Sequence, residues 1–459
     1  MSNIDKSSDA HKDDESTHLL ASETMSSPPS PSPPPPPLPN EPIFGVFFLG
    51  FVGNLCFNFL FQQIAFFNAA FGESFGTLVN IGFSLASNVG QILNIWKLSG
   101  MTFASRITIS GICLGVIMLC IPLLSIYNVR FSGYLAVMLV FMLGFFGSML
   151  SGAGYGLTGM CSQRIRTYHN LGACIPCVVA YPLMVVFNWT FSILGFSTQA
   201  GIEGVASSAD RATTLAIMTI ASVCVLAVVP YYRWGLEPTE SVTMAIKLLN
   251  ERQAPASTAP AQRSKFQIVL STLPLALSVW TTMCLTFVVI PGQVTKWKTD
   301  HPEKYPGGAF GYQDMHIYVF QGFDAVGRLL VTAGLDLSPT AVIVWSAVRI
   351  VLLPFFFLAT AKWRLFGNSL VRFVLGAFFA TSYGILLSLG MIHGPDQVSQ
   401  AEADIAGYTM SFFMENGVIF GALIALAMEA IPSAYSQVTT LRRECAIDPV
   451  GLTLVCTEL

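Results

Sequence analysis

The chain has 459 residues, 53% of them hydrophobic and 11% charged, with a mean hydropathy of +0.61 and a net charge of −3. Soluble domains are nearer about a quarter charged, and a water-soluble fold of this length has too little interior to hide so much apolar surface. The composition reads as a membrane protein, and the charge offers no basic face to nucleic acid.

Residues 1–42 are polar, acidic and Pro-rich, without the apolar stretch of a signal peptide. They are read as a cytoplasmic tail in which 26–39 (SSPPSPSPPPPPLP) has polyproline character, a weak candidate ligand for an SH3-type partner. The ten cysteines are scattered, several inside apolar runs, and the single C-x-x-C, Cys174 and Cys177, has no second pair to complete a metal site.

A spanning helix needs about 20 mostly apolar residues. Eleven segments meet that measure, at about 43–67, 76–97, 103–126, 132–158, 171–195, 212–232, 266–291, 313–335, 338–360, 367–392 and 405–430. The fold class is therefore an all-α polytopic membrane protein. The longest polar interruption, 233–265, divides a six-helix bundle (43–232) from a five-helix bundle (266–431), and 432–459 forms a C-terminal tail with no reading of its own.

The positive-inside rule orients the bundle. The first six spans leave eleven Lys and Arg on the N-terminal side, among them Arg106, Arg164, Arg166, Arg252, Arg263 and Lys265, against Arg130 and Arg211 on the other. The last five reverse the bias. With the early helices dominating, the N-terminus is expected in the cytoplasm and the C-terminus outside.

Ionisable side chains in a membrane core are expensive and usually face a cavity or a partner. In the eighth span (YVFQGFDAVGRLL), Asp324 and Arg328 are four residues apart and share a face, with Gln321 three residues before Asp324. Two readings stand. The pair either ties helices together or lines a wet path and hydrogen-bonds a polar solute. Weaker candidates are Asn58, Gln62 and Gln63 in the first span, His316 in the eighth, and Glu415 and Asn416 in the last. Arg349 in the ninth is a candidate partner for Glu415. No H-E-x-x-H, G-x-S-x-G or P-loop is present, so no enzymatic chemistry and no cofactor is expected.

The residues Phe323-Asp324-Ala325-Val326-Gly327-Arg328 resemble the F-D-x-x-G-R signature of the equilibrative nucleoside transporters. The segment 394–431 resembles the same family through Gly394-Pro395, Val398, Ala401-Glu402-Ala403, Ala406-Gly407, Met410, Phe412-Phe413, Gly417 and Gly421-Ala422. Arg349 and Pro354, Leu49-Gly50 with Phe57-Asn58-Phe59, Gly156-Leu157 with Gly159, and Arg106 add to it. The resemblance implies a six-plus-five relative of the major facilitator bundle whose halves rock around a midplane site. It implies a facilitative carrier of nucleosides, purines such as adenosine or inosine first, and of nucleobases, in the plasma membrane. It also implies that Asp324 and Arg328 border the substrate cavity, with Phe57 as an aromatic wall and Asn58, Ser151 and Gln321 as further contacts. Three departures bear on base selectivity. Gln321 stands where Asn is frequent, Ser151 stands where a Gln of the fourth helix faces the base, and the family's G-Q-x-x-x-G of the fifth helix is not recognisable around Gly172. In the first helix Phe57 replaces a Trp. The alternative is a proton-coupled porter of another small polar solute, working through Glu415 or His316.

Overall fold

The computed structural model describes residues 41–71, 75–127, 131–196, 207–253, 263–290, 293, 294, 297, 312–447 and 454–456. Residues Met1–Pro33 separate as a unit of their own, and the Pro-rich tail lies outside the described residues. The described residues of the unit Pro34–Leu459 are helical almost throughout.

Its helices are α1 (Ile43–Gln62), α2 (Ile64–Phe71), α3 (Phe75–Trp96), α4 (Phe103–Tyr127), α5 (Ser132–Gly159), α6 (Gln163–Ile193), α7 (Ser208–Tyr231), α8 (Glu240–Gln253), α9 (Lys265–Val289), α10 (Tyr312–Thr332), α11 (Pro339–Val348), α12 (Leu353–Thr360), α13 (Ser369–His393) and α14 (Ala403–Glu444). Nine helical segments among the described residues are long and apolar enough to cross a membrane. The remaining two of the expected spans, α3 and α10, have 22 and 21 residues, also enough to cross, and they carry many of the buried polar side chains.

Local chemistry explains where these helices begin and break. Ser207 with Asp210, and Ser264 with Gln267, form capping boxes that start α7 and α9. The fifth span was expected to begin at 171, but Ser162 caps the helix through the Ile165 N–H and α6 starts at Gln163. Arg164 and Arg166 are thus on a helix and not in a loop. The ninth span is interrupted at Arg349–Leu352 by a 3-10 turn, where Pro354 removes the donor that an α-helical ladder would need. The expected loop 233–265 contains α8, and α14 continues past 431 to Glu444, beyond which Cys445–Ile447 pairs with Leu454–Cys456 as two antiparallel strands.

Two hydrophobic cores form. One gathers mostly residues of α1 to α8 around Val52, Leu143, Leu157 and Val225, joined by the start of α14 (Ala403, Ile405, Ala406, Tyr408), and the other gathers mostly α9 to α14 around Val279, Phe356, Phe379 and Leu389, joined by Tyr155 of α5. Outside them the usual rule is inverted. Trp189, Val223, Phe378 and Leu423 stand exposed on the perimeter, as expected where the solvent is lipid. The two groups meet where α5 and α3 pack on α14 and α6 packs on α10 and α13. At the α5–α14 seam a Cβ on Gly407 would lie 2.3 Å from the Tyr155 carbonyl, and one on Gly156 would lie 2.1 Å from the Tyr408 ring. Only glycine lets the backbones come this close.

Candidate functional site

Between the two groups lies a cavity of about 130 Å³ for the centres of water-sized bodies, large enough for a small polar solute. Both groups build it. Gly53, Asn54, Phe57 and Asn58 come from α1, Phe83, Ser84 and Ser87 from α3, Ser148, Ser151 and Tyr155 from α5, and Cys177 from α6. Met283 and Phe287 of α9, Asp324 and Arg328 of α10, Tyr383 of α13 and Glu415 of α14 close the other side. Most of these positions lie within the helices away from their ends, though Tyr155 and Phe287 stand in the last turns of α5 and α9.

The helical i, i+4 spacing brings Asp324 and Arg328 into a two-point pair. Arg328 Nε donates to Asp324 Oδ1 at 3.0 Å and Nη2 donates to Oδ2 at 3.3 Å. Both residues are buried in the protein, and their helix presses Gly327 against the α13 backbone. The third nitrogen, Nη1, crosses to the α6 backbone and donates to the Asn170 carbonyl at 3.1 Å. The guanidinium also lies 5.9 Å from the Tyr383 ring. The pair thus ties α10 to α6 and stands among the residues that line the cavity.

Phe57 stacks at a tilt on Phe83, ring centroids 4.5 Å apart, and gives the cavity an aromatic side. Asn58 donates to the Asn54 carbonyl at 2.8 Å and accepts from the Cys177 thiol at 2.9 Å, so its amide is largely occupied. Ser151 accepts from Gln91 Nε2 at 3.4 Å, and the same amide donates to Ser411 at 2.7 Å. An amide therefore stands behind Ser151, supplied by α3 and not by α5. Gln321 does not line the cavity. It shares a face with Asp324 and Arg328, but three residues set it about 4.5 Å nearer the start of α10 than Asp324.

His316 is also away from the cavity. It is buried in an aromatic cluster with Trp297, Tyr312 and Phe373, stacked on Phe373 at 3.9 Å. Arg349 does not meet Glu415. It donates to the carbonyls of Thr282 (3.1 Å) and Phe379 (3.2 Å) and to the Thr286 hydroxyl (3.3 Å), and it lies over the Phe379 ring at 4.1 Å. Tyr383, Tyr155 and Gln91 carried no sequence signal. A tyrosine or glutamine inside an apolar helix does not reveal from its neighbours which way it points.

One end of the seam is held by ion pairs joining the two groups. Arg166 Nη2 meets Asp396 at 2.6 Å, and its Nη1 donates to the Ile392 carbonyl. Arg252, at the end of α8, meets Asp404 at 2.5 Å. Beside them, within the second group, Arg263 just before α9 grips Glu402 just before α14 through two nitrogens at 2.5 and 3.1 Å. Arg106 donates to the Tyr408 hydroxyl at 2.6 Å, and Lys265 donates to the carbonyls of Ile95 and Trp96 that end α3. All these groups lie on the side from which α1 enters.

The family described as "Nucleoside transporter" matches residues 213–430. The rat protein named equilibrative nucleoside transporter 1 is 28% identical over 249 residues, 48% of this chain and 54% of the relative. The mouse protein of the same name is 26% identical over 334 residues, 64% of this chain and 68% of the relative. The human one is 33% identical over 128 residues, 24% of this chain and 26% of the relative. The chain thus spans about half the length of the rat relative. Among solved structures, the proton:xylose symporter XylE of the major facilitator superfamily superposes with a TM-score of 0.58 at 11% identity, covering 87% of this chain and 90% of that one. The human organic anion transporter MFSD10 superposes with 0.54 at 10% identity, covering 83% and 92%. These two share the fold.

Proposed function

We propose, from the premise that this chain belongs to the nucleoside transporter family, that it is a facilitative carrier of nucleosides, with purine nucleosides such as adenosine and inosine as its main substrates and nucleobases as secondary ones. The chain is a multi-pass membrane protein of transporter fold. The observation that carries the reading is a cavity lined by both helical groups, into which one buried Asp–Arg pair is presented.

In this reading the halves 43–232 and 266–431 rock about the cavity and expose it to each side in turn. Arg328 donates to hydroxyls of the solute and Asp324 accepts from them, replacing the water lost on entry. Phe57 offers a face to the base, and Asn58, Ser151 and Gln321 are secondary contacts, Gln321 on the way in. The ion pairs at the α1-entry side keep that mouth shut while the other is open. The N-terminus is cytoplasmic, and the membrane is the plasma membrane.

The test is uptake of radiolabelled adenosine by cells without nucleoside carriers of their own, competed with inosine, hypoxanthine, uridine and glucose. Saturable uptake that purines block and glucose does not, and that an uncoupler leaves unchanged, supports the reading. A surface-expressed protein that moves none of these nucleosides would sink it.

A further inference from the structure

Nearly every polar group around the cavity already has a partner within the protein. Asp324 and Arg328 satisfy each other, Asn58 holds Asn54 and Cys177, and Ser151 holds Gln91. Glu415 differs. Its carboxyl lines the cavity from α14, and no Lys, Arg or His among the described residues pairs with it. Arg349, the nearest candidate in sequence terms, spends its nitrogens on carbonyls and a threonine hydroxyl. The Ser87 hydroxyl of α3 supports the carboxyl with one hydrogen bond. A carboxylate has about four acceptor positions, so one donor leaves most of them open toward the solute.

The direction of Glu415 is set by its neighbours. Asn416 donates to Asn88 Oδ1 of α3 at 3.2 Å and accepts from Trp280 Nε1 of α9 at 3.1 Å. At Gly417 a Cβ would lie 2.7 Å from the Trp280 carbonyl, so α14 lies hard against α9 there. With residues 416 and 417 locked on two sides, the side chain before them is held toward the cavity. On α3, Phe83 sits one turn before Ser87, on the same face, and carries the aromatic stack with Phe57. An acceptor therefore stands beside an aromatic face.

Resting on the carrier reading above, we propose that Glu415 is a specificity-determining residue that accepts hydrogen bonds from the exocyclic amine of a nucleobase stacked along Phe83 and Phe57. It favours amine-bearing bases (adenine, cytosine) over their oxo counterparts. Adenine and cytosine present an N–H₂ donor where hypoxanthine and uracil present a carbonyl, and a carboxylate accepts from the first and repels the second.

The experiment measures inhibition of radiolabelled adenosine uptake by unlabelled adenosine, inosine, cytidine and uridine, in cells expressing the full chain or Glu415→Gln. Hydrogen bonds to a charged group correspond to roughly tenfold or more in affinity. The wild type should prefer adenosine to inosine and cytidine to uridine by about that factor. Glu415→Gln, whose amide both donates and accepts, should bring both ratios toward one. Ratios that stay unchanged in a surface-expressed variant overturn the proposal while leaving the carrier reading intact. Should the variant fail to reach the surface, the wild-type ranking decides alone, and a preference for the oxo bases overturns the proposal. A variant that loses all four nucleosides equally, together with wild-type uptake that an uncoupler stops, assigns Glu415 to proton carriage instead. No nucleoside uptake by the wild type removes both readings together.

Discussion

Two sets of arginine–carboxylate pairs do different work in this molecule. In the cavity, Arg328 and Asp324 are four residues apart on one helix, both under a tenth exposed. On the side from which α1 enters, Arg166–Asp396 and Arg252–Asp404 join the two groups across 230 and 152 positions of sequence, and Arg263–Glu402 ties the segment before α9 to the one before α14. A pair inside one helix survives any rearrangement of the bundle, so under the proposed alternating access it suits a surface that stays assembled while the halves move. Pairs between helical groups exist in only one arrangement, so under the same proposal they suit a seal that opens and closes. The two sets also differ in energy. A fully buried pair leaves an uncompensated charge when one member is removed, whereas partly exposed pairs such as Arg263–Glu402 are screened by water and individually weak.

The largest expected effect separates these roles. Arg328→Ala strands Asp324 in a low dielectric, a loss of about 3–5 kcal/mol, and should reduce both surface level and uptake. The neutral double variant Asp324→Asn with Arg328→Gln should recover most of the surface level but no adenosine uptake. Uptake returning with it would make the pair structural and nothing more.

Next comes the seal. Burial pushes the Cys161 thiol, in the turn after α5, up to about 12. The reactive thiolate forms only as the pH approaches that value, so at pH 7 to 9 the wild-type thiol should react slowly with an impermeant thiol reagent applied to the face from which α1 enters. Arg252→Ala removes the partner of buried Asp404 and should raise labelling of Cys161, located by mass spectrometry, by about tenfold, as opening admits water and returns the thiol toward roughly 8.5. Equal labelling in variant and wild type would remove Arg252 from the seal.

The smallest effect tests the contrast within the cavity. Ser151→Ala deletes two long hydrogen bonds, one from Gln91 and one to the Ser148 carbonyl, while Gln91 keeps Ser411, so it should shift the adenosine KM by less than about fivefold at normal surface level. A loss comparable to that of Arg328→Ala would mean that Ser151 touches the solute directly.

Residues close in sequence were read well. The eleven spans follow from runs of apolar residues, and the Asp324–Arg328 face follows from helical spacing alone. Arg349 and Glu415 show the boundary of such reading. Both are charged, both lie in spans, and opposite charges invite pairing, yet carbonyls on α9 and α13 take the arginine first. Gln321 shows another boundary, since sharing a face with Asp324 says nothing of depth along the helix.

The sequence by itself determined that the chain is a helical membrane protein, which stretches are apolar enough to span, which family pattern it carries and which helix holds the buried pair. Each of these rests on spacing within about twenty residues, where helix geometry is known in advance. Only the tertiary structure decided which helices enclose the cavity, that Gln91 stands behind Ser151, that the α8 linker reaches Asp404, and that Glu415 has no cation partner among the described residues. Those depend on how helices far apart in the chain rotate and slide against one another. Close packing at small residues such as Gly156 and Gly407 sets that fit, and it leaves no periodic trace in the order of residues.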